Sequence, residues 1–286
     1  MSGFNDLVSK KLPNPTPSQR RVIEYIIDQY DEVIFLPASR VAVNAGVSEA
    51  TLVRVAQYLG FSGYPEMQRM LRKGLQERLS TISRLEKTIE HVENEGDVLT
   101  MVIQEDINNL KETLRDIPVE DFSLVVDKIV YARKIYVIGL LQAHAPALVL
   151  ASALRSLRED VYLLDGRLDD WDIIAGVNSE DLVIGISIPR YTRLTIEIVE
   201  YAHKNNANTV AITDSALSPL SNYVECFLPV KRRLNSYIES FTAALSLVNA
   251  IVTAVSLKNP QETLKVLKKR EALWKEKELF IRMNKH

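Results

Sequence analysis

From residue 127 to 230 the chain alternates short, uniformly apolar runs with stretches of helical periodicity. The runs are Lys134 to Gly139, Val161 to Leu164, Asp181 to Ser187, Thr209 to Thr213 and Cys226 to Val230, and helical patterns cover 147–158, 171–176 and 194–205. Strands this apolar are buried on both faces, and crossover helices between them impose parallel pairing. The pattern predicts a C-terminal α/β domain: a five-stranded parallel sheet covered by helices on both faces. Ligands of such sheets bind at the carboxyl ends of the strands. Those ends are Gly139 to His144, Ser187 to Thr192 and Thr213 to Ser215.

The N-terminal third has no strand pattern and reads as all-α. Thr16-Pro-Ser-Gln19 is a capping box with Pro at the first helical position, opening a helix to about Tyr30. Residues 39–54 then have the spacing of a helix-turn-helix. Ala42 is small where two helices cross, Gly46 ends the first, Ser48 caps the second, and Val41, Ala45, Val47, Leu52 and Val55 supply the contact between them. Ser48, Glu49, Thr51 and Arg54 are the DNA-contact candidates from this unit, with Ala50 among them in the first two turns and Arg54 the first choice as a base reader. In the following turn, Leu59-Gly-Phe-Ser-Gly-Tyr64, Phe61 and Tyr64 can cover the small core, and Ser62 and Tyr64 join the DNA-contact set. Pro65 starts a further helix ending near Leu79.

Residues 80–116 carry heavy charge around an apolar stripe that includes Leu99, Ile103, Ile107 and Leu114, read as two helices joined at Asn94-Glu-Gly-Asp97. The expected organisation is therefore a helix-turn-helix domain over 1–79, a helical linker or dimerisation arm over 80–116, and the α/β domain with a helical tail over 117–286.

Composition narrows the class. Of 286 residues 47% are hydrophobic and 25% charged, enough for sizeable cores. The net charge is −2, and residues 1–80 hold ten Lys+Arg against eight Asp+Glu. With so mild an excess, phosphate affinity must come from placement and dimerisation rather than bulk charge. Cys226 stands alone, so no internal disulfide forms, and it is expected to pack as a small apolar residue. No secretory signal is visible near the start, and the uncharged run Ser240 to Leu257 has its polar residues on one helical stripe, which fits a buried helix better than a membrane span. The expected location is cytoplasmic, with no membrane partner. Four His and one Cys offer no metal site at ligand spacing, and no cofactor is expected.

These pieces together resemble the RpiR/MurR family of bacterial transcription regulators, which join a helix-turn-helix to a sugar isomerase (SIS) domain. The resemblance rests on Ala45-Gly-Val-Ser-Glu-Ala-Thr-Leu-Val-Arg54, Leu59 to Tyr64, Ile135-Tyr-Val-Ile-Gly139, Asp181 to Ser187, Val210-Ala-Ile-Thr-Asp-Ser215 and Glu239-Ser240, in that order. It implies a DNA-binding regulator, by family analogy a repressor of a metabolic operon, that meets an inverted-repeat operator as a homodimer or homotetramer and has no catalytic residues. It also implies an effector site at the strand ends, where Gly139, Ser187, Thr192 and Glu239 fall on matching positions; this chain's own residues Gln142, His144, Arg190 and Tyr191 complete the candidate set there.

The chain departs from the family at the phosphate-binding loops. Leu141 and Ala143 stand where Gly and Ser are expected, and Pro189 and Arg190 replace Ser and Gly in Ser187-Ile-Pro-Arg-Tyr-Thr192. Pro supplies no N–H, Ala no hydroxyl, and Arg resists positive φ. Arg190 and Arg193 are instead placed to grip a carboxylate or phosphate. A phosphosugar, another small acid and no effector at all stay open as readings. The rival function is an SIS-type sugar phosphate isomerase with an added helical domain; a binding protein with vestigial sites is a third.

Overall fold

The computed structural model describes residues 2–12, 15–78, 81–91, 94–216, 218–232 and 238–280. Compactness divides the chain into two units, Met1–His91 and Val92–His286.

The first unit is helical. In order it contains α1 (Ser2–Lys11), α2 (Pro17–Asp28), α3 (Tyr30–Val33), α4 (Ala38–Asn44), α5 (Glu49–Tyr58), α6 (Tyr64–Arg78) and α7 (Thr81–His91). The expected capping box opens α2: Gln19 N–H donates to Thr16 Oγ1, and Thr16 N–H donates to Gln19 Oε1 at 2.8 Å. The buried faces of α2, α4, α5 and α6 meet in a core of Val22, Ile26, Val41, Leu52, Val55, Met67 and Leu71. α1 has no counterpart in the periodicity of the sequence; it adds Phe4 to this core, with Leu7 and Val8 against it. The expected junction near Leu79 lies outside the described residues.

The second unit opens with α8 (Glu95–Asp116), capped by Asn94, whose Oδ1 accepts from Asp97 N–H at 3.1 Å. Then follow α9 (Val119–Tyr131), β1 (Ile135–Ile138), α10 (His144–Arg155), β2 (Val161–Leu164), α11 (Asp170–Ile174), β3 (Leu182–Ile186), α12 (Arg193–Lys204), β4 (Asn208–Thr213), β5 (Cys226–Pro229), α13 (Thr242–Lys258) and α14 (Pro260–Glu276). All four strand pairings are parallel, in the order β2-β1-β3-β4-β5. Alternation within β1 shows how both faces are covered. Ile135 and Val137 enter the core shared with α9, α10 and α13, while Tyr136 and Ile138 enter the one beneath α11 and α12. The sequence-based architecture of both domains is the observed one.

α7 falls in the first compact unit, and α8 packs on α13 in the second. Polar anchors hold it there. Thr242 Oγ1 donates to Asp106 Oδ2 at 2.7 Å, Lys231 N–H donates to the buried Thr113 Oγ1 at 2.8 Å, and Lys231 Nζ lies 3.0 Å from Asp116. Leu99, Ile103, Ile107 and Leu114 of α8 remain exposed. α13 buries Ala243, Ala244, Leu247, Val248 and Ile251 and turns Ser246, Asn249 and Thr253 outward, the one polar face read from its sequence. Among the described residues no single helix is long and apolar enough to cross a membrane.

Candidate functional site

The turn between α4 and α5 is built by hydrogen bonds that need Gly46. Its φ of +64° lets Gly46 N–H reach Val43 O at 3.0 Å and Val47 N–H reach Ala42 O at 2.9 Å, closing α4 with a Schellman pair. Ser48 then caps α5: Thr51 N–H donates to Ser48 Oγ at 3.3 Å, and the two hydroxyls lie 2.9 Å apart. Ser48 and Thr51 are therefore engaged with each other at the helix start. Glu49 is exposed in the first turn, and Arg54 is exposed with its Nε donating to Ala50 O at 3.3 Å. Ser62 is exposed, its N–H donating to Glu66 Oε2 at 2.6 Å at the start of α6.

Tyr64 corrects the expected DNA-contact set. It is 2% exposed, and its hydroxyl sits 2.9 Å from the carbonyl oxygens of Val33 and Leu36. Burial pushes its pKa up to about 12. The side chain ties α6 to the end of α3, so only its role in the core holds.

In the second unit, β1 lies between β2 and β3, so the chain leaves β1 toward one edge and reaches β3 on its other side. The switch point therefore sits between the loops after β1 and β3, the two that carry most of the expected effector residues. Gly139 is buried beneath the start of α10, and a Cβ there would lie 2.5 Å from Ala143 O and 3.1 Å from Ala147 Cβ. Gln142 is exposed. His144 begins α10, its Nδ1 3.3 Å from Gly139 O and its Nε2 3.8 Å from Asp165 at the end of β2. The backbone at both departures keeps the left-handed conformation despite the side chains: φ is +55° at Leu141 and +71° at Arg190. Non-Gly residues held this way are strained, and such strain clusters at ligand sites. Ser187 is buried, and Thr192 Oγ1 is 2.7 Å from the buried Thr195 Oγ1. Arg190 points to solvent. Arg193 does not accompany it; its Nε is paired with Glu197 at 2.6 Å along the surface of α12.

A polar cluster at the ends of β4 and β5 was only partly legible. Tyr191 OH donates to Asp214 Oδ1 at 2.8 Å, Thr213 Oγ1 donates to Ser218 Oγ at 2.8 Å, and Arg232 Nη1 lies 3.2 Å from Glu239 Oε1. The Arg232 and Glu239 side chains are 8% and 11% exposed. Burial raises the pKa of Asp214, opposed by the Tyr191 hydrogen bond and the Arg232 charge. Burial, then the Asp214 charge, carries Tyr191 well above the usual phenol range. Sequence reasoning named Tyr191 and Glu239 and included Asp214 only within the strand end Thr213 to Ser215, without singling out Asp214 or Arg232 as members of this cluster. Their position just beyond β4 and β5 was the available signal.

A cleft of about 450 Å³ opens at the opposite, amino end of the sheet, lined among others by Lys128, Tyr131, Arg133 and Glu180. Its cations are engaged in structure: Lys128 bonds Asn208 and Glu225, and Arg133 pairs with Glu180 and Asp181. Cys226 is buried, its thiol pushed up to about 11 by desolvation, which makes it a packing residue. Among the described residues no group of three His, Cys, Asp or Glu is arranged to hold a metal ion.

Fold and loops together define a helix-turn-helix protein with an SIS-type α/β domain. Residues 2–78 match the helix-turn-helix domain of the rpiR family and residues 128–254 match the SIS domain. The chain belongs to the RpiR family. It is 25% identical over 260 residues to an HTH-type transcriptional regulator of Clostridium perfringens, covering 89% of this chain and 88% of that protein. The sugar isomerase domain of an RpiR transcription factor from Sphaerobacter thermophilus is 28% identical, with a TM-score of 0.58 over 60% of this chain and 97% of that one. The Vibrio vulnificus NanR protein, solved in complex with ManNAc-6P, shares the fold over 98% of this chain and 99% of its own, at 20% identity and a TM-score of 0.63.

Proposed function

We propose that this RpiR-type transcriptional regulator is a repressor that binds an inverted-repeat operator as a homodimer or homotetramer and is controlled by a small anionic metabolite held between the loops after β1 and β3. The observation that carries the effector reading is Arg190: a guanidinium exposed at the switch point and kept in a strained backbone conformation. NanR, an architectural relative, holds a phosphosugar, which supports an anionic ligand of that class or a carboxylic acid here. The exposed α8 stripe is one surface for the second copy. By linkage, an effector that favours one arrangement of the dimer alters the spacing of two recognition helices, which must match half-sites about 34–36 Å apart or a multiple of that. An isomerase would need its carboxylate base facing a substrate proton; Glu239 is instead engaged with Arg232.

Footprinting of the protein on its own upstream DNA, repeated across phosphosugars and carboxylic acids, tests the whole reading. A protected inverted repeat that one compound releases supports it; absence of protection at low salt, or turnover of a sugar phosphate, overturns it. Arg54→Ala is expected to lose about 1–3 kcal/mol of discrimination at one guanine while the protein stays folded. Equal discrimination by the variant would remove Arg54 from the reading set. Arg190→Gly is expected to gain about 1 kcal/mol in urea unfolding by relieving the left-handed strain, and to weaken the effector. If stability and effector midpoint both stay put, Arg190 is neither strained nor a ligand group.

A further inference from the structure

α5 presents a reading face that the helix-turn-helix pattern alone does not define. Leu52, Val55, Ala56 and Leu59 are buried. At 3.6 residues per turn, the side of α5 opposite them carries Ala50, Arg54 and Gln57, all within roughly 30° of the outward pole. All three are exposed. Glu49 and Thr51 lie about 90–110° from that pole, on the flanks. Thr51 is further committed to Ser48. The outward stripe thus holds one small apolar group, one guanidinium and one carboxamide, each a chemistry that the major groove distinguishes. Arginine pairs with guanine O6 and N7, a carboxamide with adenine N6 and N7, and an alanine methyl with the thymine methyl.

We propose that Gln57 is a specificity-determining residue that reads adenine through its carboxamide, one or two base pairs from the guanine read by Arg54, with Ala50 against a thymine methyl. The spacing follows from helical rise. Arg54 and Gln57 are about 4.5 Å apart along the axis, and Ala50 to Gln57 spans about 10.5 Å, roughly three base steps. The inference rests on α5 being the helix that enters the groove, and it adds the base chemistry of each half-site.

The test uses the full-length protein and the operator located by footprinting, with every base pair of one half-site varied singly. For the native protein, replacing one adenine by 7-deazaadenine, which lacks the N7 acceptor, is expected to weaken binding roughly 5- to 150-fold. Gln57→Ala is expected to lose a similar factor on the normal operator and to be indifferent to the deaza substitution, so the two changes do not add. Gln57→Glu is expected to shift the preference at that position toward cytosine. Circular dichroism checks that these surface variants fold. A Gln57→Ala protein whose base preferences match the native profile at every position overturns the inference while leaving the regulator reading intact. A native protein that protects no sequence at low salt removes both.

Discussion

Replacing Arg232 by methionine is expected to destabilise the second unit by about 3–5 kcal/mol, because it removes the cation that faces the buried Glu239 carboxylate and acts on Asp214. Methionine keeps much of the side-chain length, so the loss reports charge more than volume. Arg232 lies 3.2 Å from Glu239, with both side chains almost wholly buried, and its charge also favours the ionised form of Asp214. The effect carries a pH signature. Burial already holds the folded-state pKa of Asp214 above its ordinary value, and removal of Arg232 lifts it further. A carboxyl with a raised folded pKa costs stability once pH exceeds its unfolded pKa, and the penalty fades as pH falls and the group is protonated. The gap between native and variant in urea unfolding is therefore widest at neutral pH and narrows on acidification. A pH-independent gap, or one under about 1 kcal/mol, would show that the pair is hydrated and structurally minor.

Gly139→Val is expected to cost about 3 kcal/mol and to abolish effector response. The added Cβ would sit 2.5 Å from a backbone carbonyl oxygen, that of Ala143, and 3.1 Å from Ala147 Cβ, so relief requires moving the start of α10 rather than rotating a side chain. That start carries His144, which reaches both Gly139 O and Asp165. Thermal unfolding and effector titration on the same variant separate the two consequences. A variant as stable as the native protein would mean that the loop after β1 yields easily and does not position α10.

Elements with a strong local signal were legible. The capping box at Thr16, the cap at Ser48 and the turn at Gly46 depend on residues within a few positions of one another, and each forms the hydrogen bonds that its sequence suggested. The five strands were legible because burial on both faces leaves an unbroken apolar run. α1 was not, since a stripe of three core residues, Phe4, Leu7 and Val8, is too short a periodic signal to mark a helix. Tyr64 was assigned to both the core and the DNA-contact set for a related reason: a tyrosine in a glycine-rich turn suits a surface contact as well as a core one. The carbonyls of Val33 and Leu36, some thirty positions earlier in the chain, decide between them.

The sequence by itself determined the two architectures, the capped second helix of the helix-turn-helix and the loss of Gly and Ser from the loops after β1 and β3, because each is written in local spacing, in side-chain volume or in the presence of Gly and Pro. Only the tertiary structure decided that the loops after β1 and β3 flank the switch point, that Asp214 and Arg232 join Tyr191 and Glu239 in the cluster at the ends of β4 and β5, and that Arg190 faces solvent while Arg193 turns to Glu197. Strand order and the rotation of a helix about its axis are set by packing between distant segments. No short window of residues contains that information.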